Sequence, residues 1–168
     1  MKKELKYSIL VVIGTLVLYY LVKLIIYGKE RMDSPFTYFS WSEFDSPDAK
    51  GSGQEMMDEA FIHKLDGIRA EAGFPFIITS GYRTPEHNAK VGGVANSSHI
   101  KGFAADIAAV TTSQKTAIAE AAIRHGVTRI GWGNSFIHLD IDPSKTQNVV
   151  WGYGNNPPTF SEIAQNLA

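Results

Sequence analysis

Residues 136–142 read Phe136-Ile137-His138-Leu139-Asp140-Ile141-Asp142, a strict alternation of two kinds of side chain. Successive side chains of an extended strand point to opposite faces, so Ile137, Leu139 and Ile141 share one face and Phe136, His138, Asp140 and Asp142 share the other. The first face is core. The second is either the solvated side of a half-buried strand or a place where a histidine and two carboxylates do chemistry.

The stretch Ser97–Ile107, SSHIKGFAADI, bears on that choice. His99 and Asp106 are seven residues apart, about 10.5 Å in a helix or about 23 Å fully extended. Neither spacing lets both reach one ion at about 2 Å. Gly102 lies between them and permits a turn, so His99 can end a loop while Asp106 lies in the following strand and both meet at one point. The chain has no Cys, which excludes disulfides, thiolate metal sites and Cys nucleophiles and leaves His, Asp and Glu as metal ligands. Two His and one Asp suit zinc and leave a fourth position for water, the pattern of a catalytic site.

Around these stretches the chain reads as one small α+β domain. Apolar Met57, Phe61, Leu65, Ile68 and Ala72 recur at helical spacing, predicting a helix over 55–72 that Gly73 stops. A second helix is expected over 113–125, capped by Thr112 or Ser113 and closed by Gly126. Pro75–Gly81, Phe103–Val110 and Val127–Trp132 read as further strands, and SEIAQNLA near the end as a short helix.

Charge divides the chain. Residues 1–32 carry +4 and residues 33–168 carry −5, giving the net −1. An acidic body argues against non-specific nucleic-acid binding, which needs a basic surface. From Tyr7 to Ile26 the sequence is almost wholly apolar and long enough to cross a bilayer. It reads as an uncleaved transmembrane helix; a cleaved signal peptide is the alternative, although no A-x-A-like site follows Ile26. The expected organisation is therefore an anchor with basic flanks (1–32), a linker leading into the body (33–54) and the α+β domain (55–168).

Ser97-x-His99-x-x-Gly102-x-Ala104-x-Asp106, preceded by Ser80-Gly81-Tyr82-Arg83 and followed by His138 on a strand, resembles the zinc D-Ala-D-Ala metallopeptidases of the M15 type. These share a fold group with the hedgehog signalling domain, and the likeness is closest to short peptidoglycan hydrolases of bacteria and phages. The resemblance implies a small antiparallel-sheet domain in which His99, Asp106 and His138 bind Zn²⁺. It implies a peptidase that cuts peptidoglycan stem or cross-link peptides with metal-activated water, as a D-Ala-type carboxypeptidase or an endopeptidase. It further implies that Arg83 faces the substrate, where a guanidinium suits a carboxylate or developing oxyanion charge. Asn88 and Ser97 match the pattern too and would shape the loop or support a metal ligand from behind. The catalytic domain would then lie outside the cytoplasmic membrane, in a bacterial or phage setting, with the bilayer as partner of residues 7–26.

The sequence departs from that pattern at Ser135, where many M15 enzymes carry the Glu or Asp that acts as general base. A Ser does not remove a proton at neutral pH without help. Asp140 is the leading substitute, with support of a metal ligand as its competing role. The missing acid also motivates an alternative function, a catalytically inactive zinc-stabilised wall-binding or scaffold module. A serine peptidase reading rests on Ser98-x-x-Lys101 alone. His63, His87 and His125 lack ligand-type spacing, and Trp132, Trp151 and Tyr153 read as packing with a groove lining as the alternative.

Overall fold

Local chemistry sets most element ends in the computed structural model, which describes residues 12–25 and 34–167. The chain forms two compact units, residues 1–35 and residues 36–168. Within the first, residues 12–25 are helical, with apolar side chains such as Val12, Leu18 and Ile25 exposed. The expected span of 7–26 extends at both ends outside the described residues, and among the described residues no helix is long and apolar enough to cross a membrane.

In the second unit the helices are α1 (Ser52–Met56), α2 (Glu59–Ala72), α3 (Pro85–Lys90), α4 (Thr112–Arg124) and α5 (Phe160–Gln165). The strands are β1 (Ile78–Ser80), β2 (Ala104–Ala108), β3 (Arg129–Trp132), β4 (Phe136–Asp140) and β5 (Val149–Gly152), with single 3₁₀ turns at Trp41–Phe44 and Ser98–Lys101. The helix expected over 55–72 is broken at Met57, which is extended. Asp58 is the cause: its carboxylate accepts from the Phe61 backbone N–H, a cap that starts a new helix even though apolar spacing continues across the break. The next long helix is capped by Thr111, one residue before the expected cap, in a capping box with Gln114.

The sheet order is β1-β2-β4-β3-β5. It is mixed, which corrects the expected antiparallel sheet: β1, β2, β4 and β3 pair antiparallel, but β5 pairs parallel to β3. The reason is where the chain leaves β4. Asp140 at the end of β4 pairs with Arg129 at the start of β3, and the next strand begins with Val149 beside that same Arg129. The connection skips over β3 at one end of the sheet, so β5 runs in the direction of β3.

Ile107, Ile130, Ile137 and Leu139 on one sheet face join Phe61, Ile62, Leu65 and Ile68 of α2 and Ile118 and Ala122 of α4 in the core. Phe36, Phe39 and Phe44 also belong to that core. The buried Asp66 of α2 ties them in by accepting from the backbone N–H groups of Thr37 and Tyr38. α2 and α4 therefore cover one sheet face, and the alternating polar positions of β2 and β4 lie on the other.

Candidate metal centre

One row of residues crosses the whole sheet on the face opposite the core. Ser80, Asp106, His138, Gly131 and Trp151 are successive register partners on β1, β2, β4, β3 and β5. His99 reaches this row from the 3₁₀ turn Ser98–Lys101, which Ser97 caps by accepting from the His99 backbone N–H. Gly102 then turns the chain into β2 with φ of 74°, a conformation that Gly adopts without steric cost.

His99, Asp106 and His138 form a buried cluster whose ligand atoms lie within 4.8 Å of one another. His99 Nε2 is 3.2 Å from His138 Nδ1 and 3.3 Å from Asp106 Oδ1, and His138 Nδ1 is 2.8 Å from Asp106 Oδ1. Ligand atoms of a tetrahedral ion with bonds of about 2.0–2.1 Å stand about 3.3 Å apart, close to two of these three separations. The outer hydrogen bonds orient both rings. His99 Nδ1 lies 2.7 Å from the Gly81 carbonyl, which only accepts, so Nδ1 carries the proton and Nε2 presents a lone pair. On His138, Nε2 faces Asp140 Oδ2 at 3.2 Å and donates to it, leaving the Nδ1 lone pair on the cluster side. Two lone pairs and a carboxylate oxygen thus converge, a donor set that calls for a cation and fits zinc.

Electrostatics agree with this arrangement. Burial pushes the Asp106 carboxyl up, but hydrogen bonds and charge from His138 and His99 outweigh it and hold the group far below the usual carboxylate range. Burial disfavours protonated His138, yet Asp106 and Asp140 overcome it and raise its pKa. For His99 burial prevails and lowers the pKa. The carboxylates therefore favour a positive charge at this point of the sheet, between the two rings.

The SGYR stretch wraps His99 and Asp106. Gly81 packs so closely on Phe44 that an added Cβ would fall 2.5 Å from the Phe44 Cα. The Arg83 backbone N–H donates to the His99 carbonyl, its Nε donates to Ser80 Oγ at 2.7 Å, and its Nη2 donates to Asp106 Oδ2 at 2.5 Å. Arg83 thus holds a cluster carboxylate, a contact the sequence did not suggest. Its Nη1 is left without a protein acceptor among the described residues.

Asp140 lies behind His138, not beside the lone pairs. It is 1% exposed, accepts from Arg129 Nε at 2.8 Å and from the Asp142 backbone N–H, and touches His138 only through Nε2. Ser135, at the position of the expected acid, is exposed. Other polar side chains fall elsewhere. Lys101 donates to Asp142 and Ser144 and not to Ser98, so the Ser-x-x-Lys pair is not assembled. His63 pairs with Glu59, His125 with Glu71, and His87 sits in α3; none joins the cluster. Asn88 is buried in α3 and donates to the Val94 carbonyl, shaping the loop before His99.

The family model for peptidase M15 matches residues 38–140, more than half of the chain and all three cluster residues. This chain belongs to the peptidase M15 family. No curated protein matches it. Membership indicates a metallopeptidase of a zinc-dependent family, to which the His99–Asp106–His138 cluster conforms. Arg129, which braces Asp140 from β3, escaped the sequence reading. Trp151, expected as packing with groove lining as the alternative, lies on β5 with its ring 5.5 Å from that of His138, centroid to centroid. The apolar and aromatic run VVWGY was the available signal for β5.

Proposed function

We propose that the chain is a zinc-dependent peptidase that cuts peptidoglycan stem or cross-link peptides. The observation that carries the proposal is the convergence of His99 Nε2, His138 Nδ1 and Asp106 Oδ1 with their protons directed outward to Gly81 and Asp140. These three residues would hold the ion. When bound, zinc polarises a carbonyl oxygen and lowers the pKa of water to about 7. Asp140 fixes the tautomer and orientation of His138, and Arg129 braces Asp140 by donating to its Oδ1. This supports the orienting role for Asp140 over that of general base, since His138 stands between it and the cluster. Arg83 steadies Asp106 through Nη2 and offers Nη1 to an anionic group of the substrate.

The exposed apolar side chains of residues 12–25, within the apolar run 7–26, support a membrane anchor that would hold the peptidase domain on the wall side of the cytoplasmic membrane. Whether the wall belongs to a bacterial producer or to a phage host does not alter the chemistry.

One experiment tests the set. The full chain, expressed in a bacterium, is expected in the membrane fraction, from which it releases amino groups from purified peptidoglycan. A chelator should stop the release, zinc should restore it, and His99→Ala should lack both activity and stoichiometric zinc. Fragment masses would identify the bond cut. A zinc-loaded wild type that releases no more than His99→Ala would replace the enzyme with the binding-module alternative.

A further inference from the structure

The cluster is short of one group. Ser135 stands where an acid was expected, and Asp140 is turned to the far side of His138. On the opposite flank from Arg83, the sheet row runs from His138 over Gly131 to Trp151. A Cβ on Gly131 would fall 2.8 Å from Tyr153 Cε2, 2.9 Å from His138 Cβ and 3.0 Å from Trp151 Cε2. Three side chains therefore close over the one residue in the row that has none. The rings form a continuous wall: His138 to Trp151 at 5.5 Å, Trp151 to Tyr153 at 6.3 Å and Tyr153 to Phe136 at 5.2 Å. Tyr153 is its outermost member and remains 45% exposed.

We propose that Tyr153 is a catalytic residue of this site: its phenol O–H donates a hydrogen bond to the carbonyl of the peptide bond being cut, from the wall it forms with Trp151 beside His138. This rests on the peptidase reading above, but the residue comes from outside the matched region, which ends at 140. The phenol is held in place. Its ring is packed between those of Trp151 and Phe136, and its O–H can donate as well as accept. Since one added Cβ on Gly131 would meet both Tyr153 Cε2 and His138 Cβ, the phenol ring borders the cluster residue His138. Burial pushes its pKa up, and the Asp106 charge adds to that effect, so Tyr153 keeps its proton and serves as a donor at neutral pH. A preorganised neutral donor beside a cation site suits developing negative charge on a carbonyl oxygen, a contact that strengthens as the bond is attacked. Arg83, after β1, and Tyr153, after β5, would then flank the substrate, with the cluster between them.

The test uses the zinc-loaded full chain and two probes, a soluble stem pentapeptide ending in D-Ala-D-Ala and its cross-linked dimer. Tyr153→Phe should lower kcat about 100-fold on whichever probe is cut, with KM within about threefold and zinc content unchanged, the split expected of a contact made in the transition state. Tyr153→Ala should in addition weaken binding of the uncut probe, measured by calorimetry. Tyr153→Phe with wild-type kcat would overturn the inference and leave the peptidase reading intact, and so would loss of zinc from that variant, which would place its effect in the cluster. A zinc-loaded wild type that cuts neither probe would sink the peptidase reading instead. Calorimetry then judges the wall alone, and an unchanged affinity in Tyr153→Ala would overturn it.

Discussion

Asp140 was legible as a residue on the face of His138 but not as to which ring nitrogen it meets, and that difference decides its role. Alternation places residues on a face; the rotation of an imidazole is set by partners in other strands, here Arg129 of β3, which no spacing reveals. Because Asp140 accepts from His138 Nε2, Asp140→Asn should weaken zinc binding about 10–100-fold, as removal of such outer partners does. A competition titration with a chromophoric chelator measures this. Were Asp140 the base, the same variant would bind zinc normally and lose turnover only. His99, Asp106 and His138 were readable for a complementary reason: a Gly between the first two and an alternating strand under the third leave few ways for them not to meet. Arg83 was readable only as a cation near the site, since its Nη2 contact with Asp106 depends on how the SGYR stretch threads past His99.

At the scale of elements, turns deliver the site residues and strands hold them. The Gly102 φ of 74° would strain any residue with a Cβ, and its Cβ would also run into the Met56 carbonyl. That contact is backbone, fixed by the Asp58 N–H donating to the Gly102 carbonyl at 3.0 Å. Gly102→Ala should therefore cost about 2–4 kcal/mol from left-handed strain and overpacking together, read as a lower urea midpoint of the zinc-free chain. A variant as stable as wild type would show that the turn has another solution. The same junction explains the helix boundary that periodicity missed. Helical spacing registers where apolar side chains recur, but Asp58 must stop one helix and cap the next because its backbone is committed to the Gly102 turn. The parallel β5 was equally invisible, since its partner is chosen by where β4 ends in space rather than by anything within Val149–Gly152.

Across the whole molecule, the site depends on joining the 3₁₀ turn that carries His99 to the chain that leaves β4, and Asp142 makes that joint. Its side chain is 1% exposed, and its carboxylate accepts from Lys101 Nζ at 2.9 Å, from the Ser144 backbone N–H and hydroxyl, and from Ser98 Oγ at 3.4 Å. Lys145 closes the network by donating to Ser98 Oγ at 2.8 Å. Burial alone would raise the carboxyl pKa, but Ser144 and Lys101 outweigh it and hold Asp142 well below the ordinary carboxylate range. A carboxyl whose folded pKa lies below its unfolded value of about 3.9 binds a proton more readily when unfolded. Its stabilisation is therefore complete above that unfolded value and is lost as pH falls through the folded one. Acid should loosen the joint from about pH 4 downward, with Asp106, also depressed, adding to the slope. Asp142→Asn should be less stable at pH 7 by about 1–3 kcal/mol, because it leaves buried donors poorly matched. It should also lose less of its remaining stability than wild type does as pH falls below 4. Urea unfolding of the zinc-free full chain at a series of pH values between 7 and 2 measures both differences. Parallel stability curves for the two proteins would mean that Asp142 does not carry this acid sensitivity and that the joint is held by the lysines and serines without it.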